Sequence, residues 1–332
     1  MPEISIVMPA YNGEETILAS IQSVQQQTFS DFELIAIDDG GNDRTRDIVE
    51  AIDDPRIKIF SYKNGGLPVA RNRGISRATG AFVAFLDQDD LWTPDKLEQQ
   101  LAALKQHPDA GVAYSWTAFM EEQGQYFHKE TPIYFEGNVY TDLLLRNFVA
   151  SGSNPLVRRQ ALESVQGYDP NLKFCADWDF YLRLAARWPY VVVPKYQIFY
   201  RQSSGSLSSK IEALEQESLA MLENSFKTAP DATQQLKSFC LAQIYQYSAQ
   251  LYLTRVQTMD GVRLAREKLK MATQLAPKIW LDRKTLSLVA KLILSRALSP
   301  QVATRLLQRL SKLRATAMNP PENGQVSAQF PQ

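Results

Sequence analysis

The stretch AFVAFLDQDDLWTPDKL, residues 81–97, decides how this chain is read. It opens as an apolar run, passes Asp87, Asp89 and Asp90, and continues into a helix-like pattern. A short apolar run of this kind suits a strand buried on both faces, with its acids emerging at the strand's carboxyl end. Carboxylates this close raise one another's pKa and destabilise the ionised state, so a positive partner belongs between them. Pro94 suits the first turn of the next helix, with Thr93 as its expected N-cap.

Working outward, the same alternation recurs. ISIVMPA (4–10), FELIAIDD (32–39) and IKIFSY (57–62) read as further buried strands, with helical patterns at 14–27, 44–52 and 68–78 between them. Alternating β and α elements of this type predict an α/β domain, a mostly parallel sheet with helices on both faces. Ligands of such sheets bind beyond the carboxyl ends of the strands, where Asp38, Asp39, Asp87 and Asp89 fall. VAYSWTAFM (112–120) and YVVVPKYQIFYR (190–201) are strand-like, and ADWDFYLRLAARW (176–188) is helical until Pro189. From Lys210 the pattern is helix after helix to about Arg314. The expected organisation is a domain over 1–208, a helical C-terminal extension over 209–315 and a disordered tail over 316–332, rich in turn formers.

Composition bounds the function. The 332 residues are 45% hydrophobic and 22% charged, the balance of a globular chain. Cys175 and Cys240 cannot build a disulfide framework, and with only His107 and His128 a His-rich zinc site is excluded. No run approaches the ~18 apolar residues of a membrane span, and no basic leader precedes the first strand, so the expected location is cytoplasmic. Net charge is zero, yet residues 261–318 hold thirteen Lys or Arg against Glu267 and Asp282. Nothing interleaves aromatic and basic residues as a nucleic-acid surface would, so no nucleic-acid partner is expected.

Four clusters can carry chemistry. An Asp-x-Asp at a strand end projects two carboxylates the same way. Mg²⁺ or Mn²⁺ takes such a pair together with substrate phosphates; the alternative is a capping cluster. Asp39 is placed to accept hydrogen bonds from a nucleoside, whereas Asp38, Asn42 or Asp43 can simply cap the next helix. Gly65-Gly66 beside Arg71 and Arg73 can cradle phosphates, although arginines on helices are commonly solvated. Asp177 and Asp179 start an aromatic helix, either as helix-start charges or with one acting as a general base. No G-x-G-x-x-G follows the first strand, which disfavours a dinucleotide-binding dehydrogenase.

Taken in order, SIVMPAYNGEETI, QTFSDFELIAIDDGGNDRT, GLPVARNRGISRATGAFVAFLDQDDLWTPDKL, GYDPNLKFCADWDFYLRL and YRQSSGSLS resemble the family 2 glycosyltransferases, whose nucleotide-binding domain has the Rossmann-like GT-A fold. The resemblance implies inverting transfer of a sugar from a nucleotide-diphosphate donor, a UDP-sugar first, to an acceptor hydroxyl of a glycan or lipid-linked acceptor, with Mn²⁺ or Mg²⁺ as cofactor. It implies that Pro9, Tyr11 and Glu14 border the nucleoside, that Asp39 bonds the base and that Arg71 approaches the nucleotide. Asp89 would ligate the metal, Asp87 would meet the ribose or the metal's waters, and Asp177 would be the catalytic base. Two departures stand out. Ala176 replaces the Glu that precedes the base in many members, and Gln202-Ser203 follow Tyr200-Arg201 where many carry His.

Two other functions compete: a sugar-nucleotide pyrophosphorylase, which would carry a Gly-rich basic loop after the first strand where PAYNGEETI stands, and a nucleotide-sugar-binding scaffold without turnover. The extension lies outside the resemblance. Leu286, Val289 and Ile293 share one helical face, as do Val302, Leu306, Leu310 and Leu313. Either these faces pack on other helices, or the basic helices lie against the inner face of an anionic membrane.

Overall fold

The computed structural model describes residues 1–121, 127–129, 131–202, 210–256, 258–298 and 302. The first elements alternate as their patterning predicts: β1 (Ile4–Ala10), α1 (Ile17–Gln25), β2 (Phe32–Asp38), α2 (Thr45–Glu50), β3 (Ile57–Ser61), α3 (Leu67–Ile75) and β4 (Phe82–Phe85). Every residue of β1, β2 and β4 is buried, as expected for strands covered on both faces. Ile4, Ile6 and Met8 face one way, into a core shared with Ile17, Ile21 and Val24 of α1. Val7 faces the other way and packs where Gly74 of α3 has no side chain.

Next come β5 (Leu91–Trp92), α4 (Lys96–Gln106), β6 (Val112–Met120), β7 (Phe127–Lys129), α5 (Tyr140–Leu145), β8 (Leu156–Arg158), α6 (Arg159–Ser164), α7 (Ala176–Ala185) and β9 (Tyr190–Arg201). The sheet runs β3-β2-β1-β4-β8-β6-β9-β5, with β7 paired to β6. The parallel reading holds for β3-β2-β1-β4. Beyond β4 the pairing is mixed: β8 is antiparallel to both β4 and β6, and β9 is parallel to β6. Thr93 is not the cap of α4. That position belongs to Asp95, without a side-chain cap bond, while Thr93 Oγ1 donates to Asp95 Oδ1 at 2.6 Å. The chain needs Pro94 and Asp95 as a turn before helical geometry begins.

Strand order reverses between β1 and β4: β2 and β3 extend the sheet on one side of β1, and β4 joins on the other. Open α/β sheets leave a ligand crevice at such a switch point, outside the carboxyl ends of the strands. The turn into β4 is held by close backbone approach. A Cβ on Gly80 would sit 2.7 Å from Ser5 N and 2.9 Å from Glu3 O. Gly80→Ala is therefore expected to cost about 1–3 kcal/mol, read as a lower urea midpoint at unchanged slope.

The chain divides into two compact units, Met1–Cys240 and Leu241–Gln332. The first also contains α8 (Ile211–Thr228) and α9 (Asp231–Gln234); α10 (Lys237–Arg255) crosses the boundary, and the second holds α11 (Met259–Leu275) and α12 (Arg283–Leu298). In α12 the buried side carries Thr285, Leu288, Leu292 and Ser295. Of the stripe for which packing and membrane contact were the alternatives, Leu286 and Ile293 are 54% and 62% exposed and Val289 is half-buried. Of the second stripe only Val302 lies within the described residues; Leu306, Leu310, Leu313, the tail 316–332 and residues 203–208 of the last motif lie outside them. Among the described residues no helix is long and apolar enough to cross a membrane.

Candidate active site

Two loops meet at the switch point, one leaving β1 and one leaving β4. Pro9 is buried in β1, and Tyr11 just beyond it is 50% exposed. Gln88, the middle residue of the Asp-x-Asp, joins the loops. The Tyr11 N–H donates to Gln88 Oε1 at 2.8 Å, and Gln88 Nε2 donates to the Tyr11 carbonyl at 2.9 Å. This pairing leaves no room for a side chain at Gly13, whose Cβ would run into the Gln88 amide. Glu14 is exposed, and its carboxylate accepts from the Arg44 N–H at 3.2 Å and from Arg44 Nε at 3.3 Å.

The loop after β2 separates two adjacent acids. Asp38 Oδ1 accepts from the Gly40 and Gly41 N–H groups, both at 3.1 Å, and closes a turn in which Gly40 takes φ +77°. Asp39, 3% exposed, accepts from the Gly65 N–H at 3.0 Å, the Gly66 N–H at 2.7 Å and Arg73 Nη1 at 2.7 Å. The Gly65-Gly66 amides expected to cradle phosphate thus serve Asp39. The cation that Asp39 meets is Arg73, which with Arg71 was expected at the phosphates.

The three carboxylates of the opening stretch divide their roles. Asp90 is fully buried and accepts from Ser153 Oγ at 2.5 Å, Ser151 Oγ at 3.1 Å and the Arg201 N–H at 3.0 Å. Burial, then the charges of Asp89 and Asp87, push its carboxyl well above the usual range. Ser153 Oγ also accepts from the Asp87 N–H at 2.9 Å, so Asp90 braces the backbone that presents its neighbours. Asp87 pairs with Arg71 Nη2 at 2.8 Å. Asp89 takes no hydrogen bond from another residue among those described, and burial, followed by the Asp87 charge, pushes its carboxyl up to about 6.

Arg71 supplies the positive partner the sequence demanded. Its guanidinium has no exposed surface, and its Nη1 donates to Asp177 Oδ1 in the first turn of α7 while Nη2 holds Asp87. It lies 5.0 Å over the Tyr168 ring, and its Nε has no partner among the described residues. Burial disfavours the Arg71 charge, and Asp177 and Asp87 more than offset that. Burial raises the Asp177 carboxyl, opposed by Arg71. The Asp177 side chain keeps 30% of its surface open and Asp87 21%, so both carboxylates line the crevice.

Asp87 and Asp89 suit a hard cation that completes its shell with substrate oxygens. A self-sufficient protein cage is not part of this site: no group of three or more His, Cys, Asp or Glu among the described residues could hold a metal ion. The sequence missed Gln88, Ser151 and Ser153, and it named Arg73 for phosphate rather than for Asp39. Only SGSN (151–154), a run of small polar residues, gave a local signal for the two serines.

An uncharacterised glycosyltransferase of Rickettsia felis is 35% identical over 145 residues, 43% of this chain and 24% of that protein. The Escherichia coli WfgD, named UDP-Glc:alpha-D-GlcNAc-diphosphoundecaprenol beta-1,3-glucosyltransferase, is 45% identical over 102 residues, 30% of this chain and 40% of WfgD. The chain thus spans less than half the length of these two relatives. The putative teichuronic acid biosynthesis glycosyltransferase TuaG of Bacillus subtilis is 32% identical over 188 residues, 55% of this chain and 72% of TuaG. Among solved structures, S. aureus TarS 1–349 in complex with UDP-GlcNAc superposes with TM-score 0.62 at 19% identity, covering 94% of this chain and 92% of that one. This likeness shows the fold, a GT-A sheet and helices followed by C-terminal helices. Residues 5–249 match the model of Glycosyltransferase like family 2, and the chain belongs to that family.

Proposed function

We propose that the chain is an inverting glycosyltransferase that moves a sugar from a nucleotide-diphosphate donor, a UDP-sugar first, to an acceptor hydroxyl in cell-envelope glycan assembly. The observation that carries the reading is the buried Arg71, which joins Asp87 of the Asp-x-Asp to Asp177 across the crevice. One element thereby holds a donor-side acid and a candidate base at a fixed separation, as a displacement with attack opposite the leaving group requires. The choice of UDP is supported by the UDP-GlcNAc held by TarS and by the donor in the name of WfgD. A mannosyltransferase of Pyrobaculum calidifontis, similar in fold at TM-score 0.58 and 16% identity, is described with GDP-Man and Mn²⁺, which keeps GDP in the test. The names of WfgD and TuaG support an envelope acceptor, lipid-linked or polysaccharide.

In this mechanism Pro9, Tyr11 and Glu14 border the nucleoside, Asp39 bonds its base and Arg71 approaches the nucleotide. Asp177 takes the proton of the acceptor hydroxyl as that hydroxyl's oxygen bonds the anomeric carbon and the bond to the nucleoside diphosphate breaks, and the base's partial burial favours proton uptake. Asp89, with Asp87, would hold Mn²⁺ or Mg²⁺, which supplies Lewis-acid stabilisation to the departing diphosphate.

Calorimetric titration of UDP, dTDP and GDP, with Mn²⁺ and with chelator, tests the reading, followed by release of nucleotide from the matching sugars. One nucleotide is expected to bind only with metal. Asp89→Asn is expected to weaken that binding on the order of tenfold or more, the loss of one ligand charge. Binding unchanged in Asp89→Asn would remove the metal assignment. Tight nucleotide binding without sugar transfer to any offered acceptor would favour the scaffold reading.

A further inference from the structure

The chain has Ala176 where the resemblance leads one to expect Glu, yet a carboxylate still meets the start of α7. It comes from Glu217, on α8. Glu217 Oε1 accepts from the Lys173 N–H at 2.9 Å, the Phe174 N–H at 2.6 Å and the Cys175 N–H at 2.9 Å, with Cys175 Sγ at 3.3 Å. Its Oε2 also accepts from the Lys173 N–H at 2.9 Å. Three successive backbone N–H groups therefore converge on one carboxylate, the arrangement of an anion-binding concavity filled from within the protein. Burial by itself would raise the Glu217 carboxyl, and the donors from Lys173, Cys175 and Phe174 outweigh it and pull it below its usual range.

The position of these donors gives the contact its consequence. Cys175 is the N-cap of α7 and makes no side-chain cap bond; Glu217 instead ties down the chain entering the helix, through the N–H groups of the N-cap residue and of the two residues before it. Asp177 lies two residues on. Arg71 holds its carboxylate from one side, Trp178 Nε1 anchors the same turn by donating to the Leu143 carbonyl at 2.7 Å, and Glu217 gathers the backbone just before it. Tyr168 and Arg71 belong to the domain that the sequence motifs cover, whereas Glu217 lies beyond residue 208, in the helices the motifs do not reach.

We propose that Glu217 is a positioning residue for Asp177: by gathering the N–H groups of residues 173–175 it sets the start of α7 and so the approach of the base to the acceptor. The first helix of the extension is then part of the catalytic unit. This inference rests on Asp177 being the base.

The experiment measures steady-state turnover of the sugar nucleotide selected above, with Glu217→Ala, Glu217→Gln, Asp177→Asn and the double variant Glu217→Ala/Asp177→Asn. Misplacing a catalytic group by an ångström can cost on the order of 10²-fold, so Glu217→Ala is expected to lower kcat on the order of 10- to 100-fold. Donor KM should stay within about twofold, because the donor loops do not use Glu217. Glu217→Gln keeps the oxygen that takes three N–H groups and should retain kcat within about threefold. In the Asp177→Asn background Glu217→Ala should add no further loss. Should Glu217→Ala fail to fold, Glu217→Asp, one methylene too short to reach the turn, takes its place. Wild-type kcat in Glu217→Ala beside an inactive Asp177→Asn would overturn the proposal and leave the base in place. So would a change confined to donor KM, or full additivity in the double variant. Full turnover in Asp177→Asn would remove the base itself, and this proposal with it.

Discussion

Asp177→Asn is expected to lose transfer on the order of 10²-fold or more while still binding donor nucleotide. The amide is nearly the same size and can still accept from Arg71, so the first turn of α7 should keep its shape. What it cannot do is accept the acceptor's proton. The wild-type carboxyl suits that task because two opposing effects act on it: burial raises its affinity for a proton, and the Arg71 guanidinium keeps an ionised population available. Steady-state turnover against calorimetric donor affinity separates the outcomes. Turnover at the wild-type level with intact binding would place the base elsewhere.

The second large effect is on stability. Arg71 is fully buried between two carboxylates that, among the described residues, it alone joins. Arg71→Met removes the cation and leaves Asp87 and Asp177 facing each other, and breaking a buried pair by deleting one partner typically costs about 3–5 kcal/mol. Both acids retain some solvent, which argues for the lower end of that range. The loss should depend on pH with a definite sign. Without Arg71 the Asp177 carboxyl, already raised by burial, loses the guanidinium that opposes that rise, so the folded variant binds a proton more readily than its unfolded chain. Its deficit against wild type should therefore be full near pH 7 and shrink as pH falls through the raised Asp177 value. Urea unfolding at pH 7 and pH 5 reads this directly. A deficit that is absent at pH 7, or that grows toward acid, would show that the Arg71 pairing is not what holds the site.

Strands were the most legible elements. ISIVMPA and VAYSWTAFM coincide with β1 and β6 to the residue, because burial on both faces requires a largely apolar run and such a run is visible locally; YVVVPKYQIFYR coincides with β9 as well, although Pro194 and Lys195 in its middle are exposed. Helix starts were less legible. The pattern beginning at residue 14 becomes helical only at Ile17, after a turn in which the Thr16 and Ile17 N–H groups both donate to the Gly13 carbonyl. Apolar spacing says which face a helix buries, but its first residue depends on which amides find partners. The α12 stripe shows the converse failure. Its two sides both carry apolar residues, and the sequence alone could not say that Leu288 and Leu292 would be covered while Leu286 and Ile293 would not.

By itself the sequence determined the class of fold, the family, and the clustering of acids at strand ends, because each is written in a local period or a motif of contiguous residues. It also demanded a cation among Asp87, Asp89 and Asp90, for which the spacing and the resemblance suggested Mn²⁺ or Mg²⁺. Only the tertiary structure decided that Arg71 pairs with Asp87 and that Asp90 is a brace. It likewise assigned Arg73 to Asp39 and brought Glu217, 42 residues beyond Cys175, back to the turn that presents Asp177. The reason is physical. A buried charge takes its partner from whatever the folded chain brings within hydrogen-bond reach, and that distance in space has no counterpart in sequence separation.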